Sequence, residues 1–147
     1  RLFNRIKTQH AGMTFSHIDM SDLDLLRSAI TPETKLIWLE TPSNPLLKCV
    51  DLAAIAEIAR EHGILTVCDN TFATPYNQRP LTLGIDVVMH STTKYINGHS
   101  DIIGGALVIG DNEQLAEELK FLKEKISQDQ ISEAVALSFK ARNLTNE

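Results

Sequence analysis

Apolar and polar positions alternate along the chain in blocks that predict strands and helices in turn. The short apolar runs, typical of buried strands, lie at residues 35–40, 64–69, 86–90 and 104–109. Period-2 alternation predicts a further strand at residues 13–18. Apolar residues at helical spacing predict helices near residues 22–30, 52–61 and 112–126, and residues 1–10 form one more amphipathic segment. The expected order of elements is therefore that of an α/β protein.

The ends of these elements carry recognisable signals. Ser21, Asp51 and Asp111 are the expected helix N-caps, and Gly63 is the expected stop of the second helix. We predict a mainly parallel sheet with helices on both faces, and we expect its strands to end at Glu40, Asp69, His90 and Ile109. The nearly continuous apolar character of residues 36–39 and 65–68 predicts cover on both faces. Since few helices are available, one face or edge is expected to stay partly uncovered.

Polar side chains collect where the predicted strands end. In open α/β sheets, ligands bind beyond the carboxyl ends of the strands. Neighbouring strands lie about 4.8 Å apart, so two strand ends can bracket one six-membered ring. The candidate site residues are Asn44, Asp69, Thr71, Ser91, Thr93 and Lys94.

These residue types suit pyridoxal phosphate: a carboxylate for a ring nitrogen, a lysine for an aldehyde and hydroxyls for a phosphate. Each residue also has a simpler interpretation. Lys94 is equally consistent with a solvated strand end, and Asp69 alone could cap a helix. Asn44, between two prolines, is better explained by its own turn when the residues are taken alone.

Composition removes several other classes of function. A net charge of −5 without a basic stripe disfavours a nucleic-acid partner. The longest apolar stretch, residues 102–109, is too short for a membrane span. No metal site is expected from the five histidines, and Cys68 is expected to be a buried, inert thiol. A nucleotide-binding module is a remote alternative because GxGxxG and GxxxxGK[ST] are both absent.

Three longer motifs carry a family resemblance. They are LETPSNP at residues 39–45, VCDNTF at 67–72 and HSTTKYINGHSD at 90–101. Together they resemble the Cys/Met-metabolism family of pyridoxal-phosphate enzymes, with the similarity running over residues 1–123. The resemblance implies part of the large domain of a fold-type I enzyme, with residues 124–147 as a divergent tail.

The resemblance also implies roles for the candidate residues. Lys94 would be the Schiff-base lysine and the catalytic residue, Asp69 would pair with the pyridinium nitrogen, and Asn44 would reach the ring's phenolic oxygen. Ser91 and Thr93 would bind the phosphate, and Thr71 would line the ring.

The implied activity is carbon–sulfur bond elimination on sulfur amino acids, of the cystathionine γ-lyase type. Cystathionine γ-synthase, cystathionine β-lyase or methionine γ-lyase chemistry and a catalytically inactive domain are the alternatives. The implied protein is a cytoplasmic homo-oligomer, a tetramer, that binds a small-molecule amino acid and neither nucleic acid nor membrane. The family's ring-stacking tyrosine, N-terminal arm and carboxylate-binding arginine lie outside the matched residues. The 147-residue chain alone is therefore expected to have little or no lyase activity.

Overall fold

The structure, a computed structural model, describes residues 13–125 and 136–140. The helices are Leu23–Ala29 (α1), Leu52–Glu61 (α2), Thr74–Asn77 (α3) and Glu113–Lys125 (α4), with a 3-10 turn at Pro80–Leu83. The strands are Leu36–Glu40 (β1), Leu65–Asp69 (β2), Val87–Ser91 (β3), Gly105–Ile109 (β4) and Ala136–Lys140 (β5). They form one sheet in the order β1-β2-β3-β4-β5. The amphipathic segment expected at residues 1–10 lies outside the described residues.

The sheet is mostly parallel, which confirms the predicted fold class. β1, β2 and β3 run parallel, and β4 runs parallel to β5. The expectation that β4 is parallel to β3 is wrong, because these two strands are antiparallel and Ser91 pairs with Gly105. A parallel return needs a long crossover, usually a helix. Here residues 92–104 contain no helix. Hydrogen bonds between Thr93 and Gly104 place the start of β4 directly beside the end of β3.

The two faces of the sheet bury different apolar clusters. One face packs against α1 and α2, whose buried residues include Leu26, Ile55 and Ile58. Burying a large aliphatic side chain of this kind contributes about 1.5–3 kcal/mol. The other face, formed by Val67, Val87 and Ile109, packs against Leu115, Ala116 and Leu119 of α4. Side chains alternate between these faces along each strand, so the same alternation decides where the polar strand ends point.

The N-caps follow the sequence prediction in one helix and differ in two. Asp51 caps α2 as expected by accepting the Ala54 N–H, and Gly63 follows that helix with a positive φ of 63°. In α1 the cap is Asp22 rather than Ser21, because the Ser21 hydroxyl bonds to Asp19 instead. In α4, Asn112 accepts the Leu115 N–H, so the prediction of Asp111 is also wrong.

Two predictions about the sheet are wrong: the strand at residues 13–18, and the burial of β1 on both of its faces. Residues 13–18 form no strand, since β1 pairs only with β2 in the described sheet. β1 is covered on a single face, with Leu36 47% and Trp38 44% exposed, so its expected two-sided cover is wrong. The expectation of a partly uncovered sheet face is confirmed by the same two residues. Within the described residues, no helix has the length and apolar character needed to cross a membrane.

Candidate active site

The carboxyl end of β2 presents a half-buried carboxylate. Asp69 is the last residue of the strand, and its Oδ1 accepts the Thr71 N–H at 3.0 Å. This bond holds the side chain against the loop that follows. Across the described residues, Oδ2 has no hydrogen-bond donor, so it can accept one from a ligand. Strand pairing sets Asp69 beside Glu40, at the end of β1.

A second hydrogen bond joins this loop to the end of β3. The Ser91 N–H donates to Thr71 Oγ1 at 2.7 Å. Thr71 Oγ1 is thus an acceptor here and keeps its own hydrogen for another partner. The structure brings Asp69, Thr71 and Ser91 together as one hydrogen-bonded unit across two strand ends. The half-buried Ser91 hydroxyl has no hydrogen-bond partner in the described part of the chain.

Thr93 and Lys94 lie in the tight turn after β3. The Lys94 N–H donates to the Ser91 carbonyl at 3.1 Å, and the Lys94 carbonyl accepts the Gly98 N–H at 2.8 Å. The Lys94 side chain is exposed, and its amine contacts no acceptor among the described residues. The turn therefore fixes the backbone of Lys94 next to Ser91 while leaving its amine available.

The Thr93 hydroxyl is already occupied. It donates to the Gly104 carbonyl at 3.2 Å and accepts the Gly104 N–H at 2.9 Å. A hydroxyl has one hydrogen to donate. Its assignment as a phosphate ligand stays a prediction, and it requires the Thr93 hydrogen to turn away from Gly104.

Asn44 is not brought into contact with the other candidates. Its side chain is exposed on the loop after β1, near the Glu40 carboxylate. The pKa of that carboxyl is raised by burial and, to a lesser extent, by the negative charge of Asp69. Asn44 therefore lies one strand away from the Asp69–Thr71–Ser91 unit, and its role toward a ring remains a prediction.

An aromatic pair that the sequence did not single out supports the turn. Phe72 and Tyr95 meet edge to face, with ring centroids 6.1 Å apart and an interplanar angle of 85°. Phe72 follows Thr71, and Tyr95 follows Lys94. Such pairs are worth about 0.5–1.5 kcal/mol beyond the area they bury. In the sequence, the one feature that indicates this pair is that each aromatic residue directly follows a candidate site residue.

On the opposite side of the same strands lie Cys68 and His90, both buried. Burial lowers the pKa of His90, against the smaller opposing effect of the Asp69 charge. Burial, with smaller contributions from Asp69 and Glu40, raises the pKa of the Cys68 thiol to about 12. The predicted burial of Cys68 is confirmed. In the described part of the chain, no group of three His, Cys, Asp or Glu side chains is placed to hold a metal ion.

The difference between the two cysteines gives a direct test. At pH 8 a thiol with a pKa of about 12 is ionised in roughly one molecule in ten thousand, and only the thiolate is reactive. We expect iodoacetamide to label the exposed Cys49 and to leave Cys68 unmodified in the folded protein, as read by peptide mass spectrometry. Labelling in denaturant, where both should react, is the control. Equal labelling rates in the folded protein would contradict the buried thiol.

Comparison with known proteins identifies the family. A family model described as Cys/Met metabolism PLP-dependent enzyme matches residues 1–139. The chain belongs to this family. A probable cystathionine γ-synthase from Herpetosiphon aurantiacus is 62% identical over 123 residues, which are 84% of this chain and 38% of the relative. A cystathionine β-lyase from Coxiella burnetii (strain RSA 493 / Nine Mile phase I) is 59% identical over 126 residues, 86% of this chain and 33% of the relative.

A solved structure agrees with the sequence relatives. It is the crystal structure of cystathionine γ-lyase from Lactobacillus plantarum complexed with L-serine. The TM-score is 0.79 at 48% identity, over 92% of this chain and 34% of that one. The chain thus spans roughly a third of the length of the proteins it matches. The boundary expected at residue 123 stays a prediction, since the family model extends to residue 139.

The residues present fit the cofactor of this family, pyridoxal phosphate. The Asp69 carboxylate has one oxygen available, the Ser91 hydroxyl is half-buried and can donate, and the Lys94 amine is accessible. These are the donor types that a ring nitrogen, a phosphate and an aldehyde require. Asp69, Ser91 and Lys94 all lie at or just beyond the carboxyl ends of β2 and β3, which are neighbouring parallel strands. This is the place where α/β sheets bind ligands.

Proposed function

We propose that this chain supplies part of the cofactor site of a pyridoxal-phosphate enzyme that breaks carbon–sulfur bonds in sulfur amino acids, as a cystathionine γ-lyase does. The observation that carries the proposal is the Asp69–Thr71–Ser91 unit with Lys94 in the adjoining turn. Family membership supports the cofactor. The relatives' names support cystathionine as the compound made or consumed.

The residues divide the work by charge. Pyridoxal phosphate, when bound, supplies an electron sink for negative charge on the substrate's α-carbon. The Asp69 carboxylate would hold a proton on the ring nitrogen by electrostatic attraction. Ser91, with Thr93, would bind the phosphate, while Thr71 would line the ring and Asn44 would reach its phenolic oxygen. The remaining task is proton movement at the substrate carbons.

Lys94 is the residue suited to that task. Its amine would anchor the cofactor covalently and, once displaced by substrate, would take the proton from the α-carbon as a general base. The same amine could deliver protons as the sulfur on the γ-carbon leaves. For cystathionine the balance is one water consumed, with cysteine, 2-oxobutanoate and ammonia released.

The products decide between the reactions of the family. With pyridoxal phosphate and L-cystathionine, we expect the natural protein that carries this chain to release 2-oxobutanoate and cysteine in equal amounts, measured by chromatography. Pyruvate with homocysteine would show β-elimination instead. Cystathionine formed from cysteine and an activated homoserine ester would show synthase chemistry. No cofactor-dependent reaction with any of these substrates would contradict the proposal.

We also infer the setting in which the site works. Family resemblance supports a homo-oligomer, a tetramer, in the cytoplasm. Family membership supports a small-molecule amino acid as the substrate. The net charge of −5 argues against a nucleic-acid partner. Residues 1–123 would contribute to the cofactor-binding domain, and residues 124–147 would form a divergent tail.

A further inference from the structure

Gln78 occupies an unusual place between the first two strand ends. It follows α3, and its side-chain amide Nε2 donates to two groups: the Thr41 carbonyl at 2.9 Å and Asn70 Oδ1 at 2.8 Å. Asn70 Nδ2 returns a bond to the Gln78 carbonyl at 3.0 Å. Thr41 and Asn70 are each only 1% exposed. One amide thus links the segment after β1 to the segment after β2, away from water.

The first of these segments behaves as a closed loop. Thr41 begins it, and its Oγ1 accepts the Val50 N–H at 3.2 Å. Within the loop, Ser43 N–H donates to the Lys48 carbonyl at 2.9 Å, and the Ser43 carbonyl accepts the Leu47 N–H at 2.7 Å. Two prolines restrict the backbone further. Because the loop is closed on itself, fixing Thr41 fixes the direction in which Asn44 is presented.

The second segment is held equally firmly. Asn70 lies between Asp69 and Thr71, and its backbone N–H donates to the Met89 carbonyl at 2.9 Å. The neighbours of Asn70 are therefore set by β3 on one side and by Gln78 on the other. A buried amide left without partners is costly, so this network favours one arrangement of the two segments.

We propose that Gln78 is a positioning residue for the cofactor site: it sets the Asn44 loop relative to Asp69 without touching the ligand. This inference rests on the roles proposed for Asn44 and Asp69. Gln78 lies at the C-terminus of α3, outside the three sequence motifs at residues 39–45, 67–72 and 90–101. Gln78 acts through Thr41 and Asn70. Removing its amide should therefore increase the mobility of the Asn44 loop and, at the same time, weaken cofactor binding.

The test compares Gln78→Met, which keeps side-chain length but removes the amide, with Asn77→Ala at the exposed neighbouring position. Pyridoxal phosphate is titrated into the apo form of the natural protein and its Kd is measured by fluorescence. We expect Gln78→Met to weaken binding about tenfold. We expect Asn77→Ala to stay within twofold. Hydrogen exchange at residues 43–50 should rise only in Gln78→Met.

A double-variant cycle separates positioning from general support of the fold. If Gln78 acts through the Asn44 loop, Gln78→Met combined with Asn44→Ala should weaken binding by less than the product of the two single effects. Multiplicative losses, or an unchanged Kd for Gln78→Met, would overturn the inference. Should Gln78→Met fail to fold, Gln78→Leu replaces it with the same expectations, because leucine also lacks the amide and places no charge beside the Thr41 carbonyl and Asn70 Oδ1. Unfolding of both variants would show a core role and overturn the inference. Absence of cofactor binding by the unmodified protein would instead overturn the proposed function.

Discussion

Replacing Lys94 with alanine is expected to abolish cofactor-dependent turnover, lowering the rate at least a thousandfold, or about 4 kcal/mol of barrier. Lys94 is the lysine whose backbone is fixed beside Ser91 by the turn after β3, while its side chain stays accessible. His90 and His99 flank this turn, but neither is a primary amine that could bond to the cofactor's aldehyde. The steady-state rate on L-cystathionine measures the effect.

A covalent label tests the same assignment independently of turnover. Borohydride reduction of the cofactor-loaded protein, followed by peptide mapping, should attach the cofactor to Lys94 alone. Lys35→Ala is the matched control. Lys35 is exposed and directly precedes the first residue of β1, whereas the candidate site lies at the carboxyl ends of the strands. That variant should retain both the label and the activity. A label on any lysine other than Lys94, or robust turnover by Lys94→Ala, would contradict the assignment.

The parts of the fold that the sequence predicts are those decided by local pattern. Asp51 with the apolar spacing of Ile55 and Ile58 defines α2, because cap and periodicity both act within a few residues. The direction of β4 is decided by how residues 92–104 turn back through Thr93 and Gly104. The apolar pattern of β4 does not reveal this contact, because the same pattern is compatible with a parallel or an antiparallel strand.

Competition between neighbouring polar residues explains the misplaced caps. Ser21, Asp22 and Asp19 can all accept hydrogen bonds near the start of α1, and the Ser21 hydroxyl is taken by Asp19. The cap then falls to Asp22, one residue later. Local preference gives the type of residue at a helix start but not which of two adjacent candidates wins.

In the candidate site, too, the residues at strand ends could be predicted, while those that depend on distant contacts could not. Asp69 and Ser91 could be predicted because they end strands that pair in parallel, and Thr71 follows Asp69 by two residues. Gln78 was not, since its bond to Thr41 spans 37 positions along the chain. Nothing in a loop glutamine distinguishes it beforehand from a solvated one. The occupied hydroxyl of Thr93 likewise depends on a partner 11 positions away.

Changing Asp69 to asparagine is expected to slow turnover by about 3 kcal/mol, roughly 150-fold, while the cofactor still binds. Asparagine has nearly the same shape, and its carbonyl oxygen can still accept the Thr71 N–H that Asp69 Oδ1 accepts at 3.0 Å. What disappears is the negative charge. Without that charge a pyridine nitrogen is less readily protonated, so negative charge on the substrate is stabilised less.

Glu40→Gln is the matched control for removing a carboxylate from this region. Glu40 pairs with Asp69 across β1 and β2, so both variants delete one negative charge at neighbouring strand ends. If the effect arises from a specific pairing with the ring nitrogen, Glu40→Gln should change turnover by only a few fold. Equal losses in the two variants would indicate a general field of the site rather than a pairing. Unchanged turnover in Asp69→Asn would mean that Asp69 serves only to hold the Thr71 loop in place.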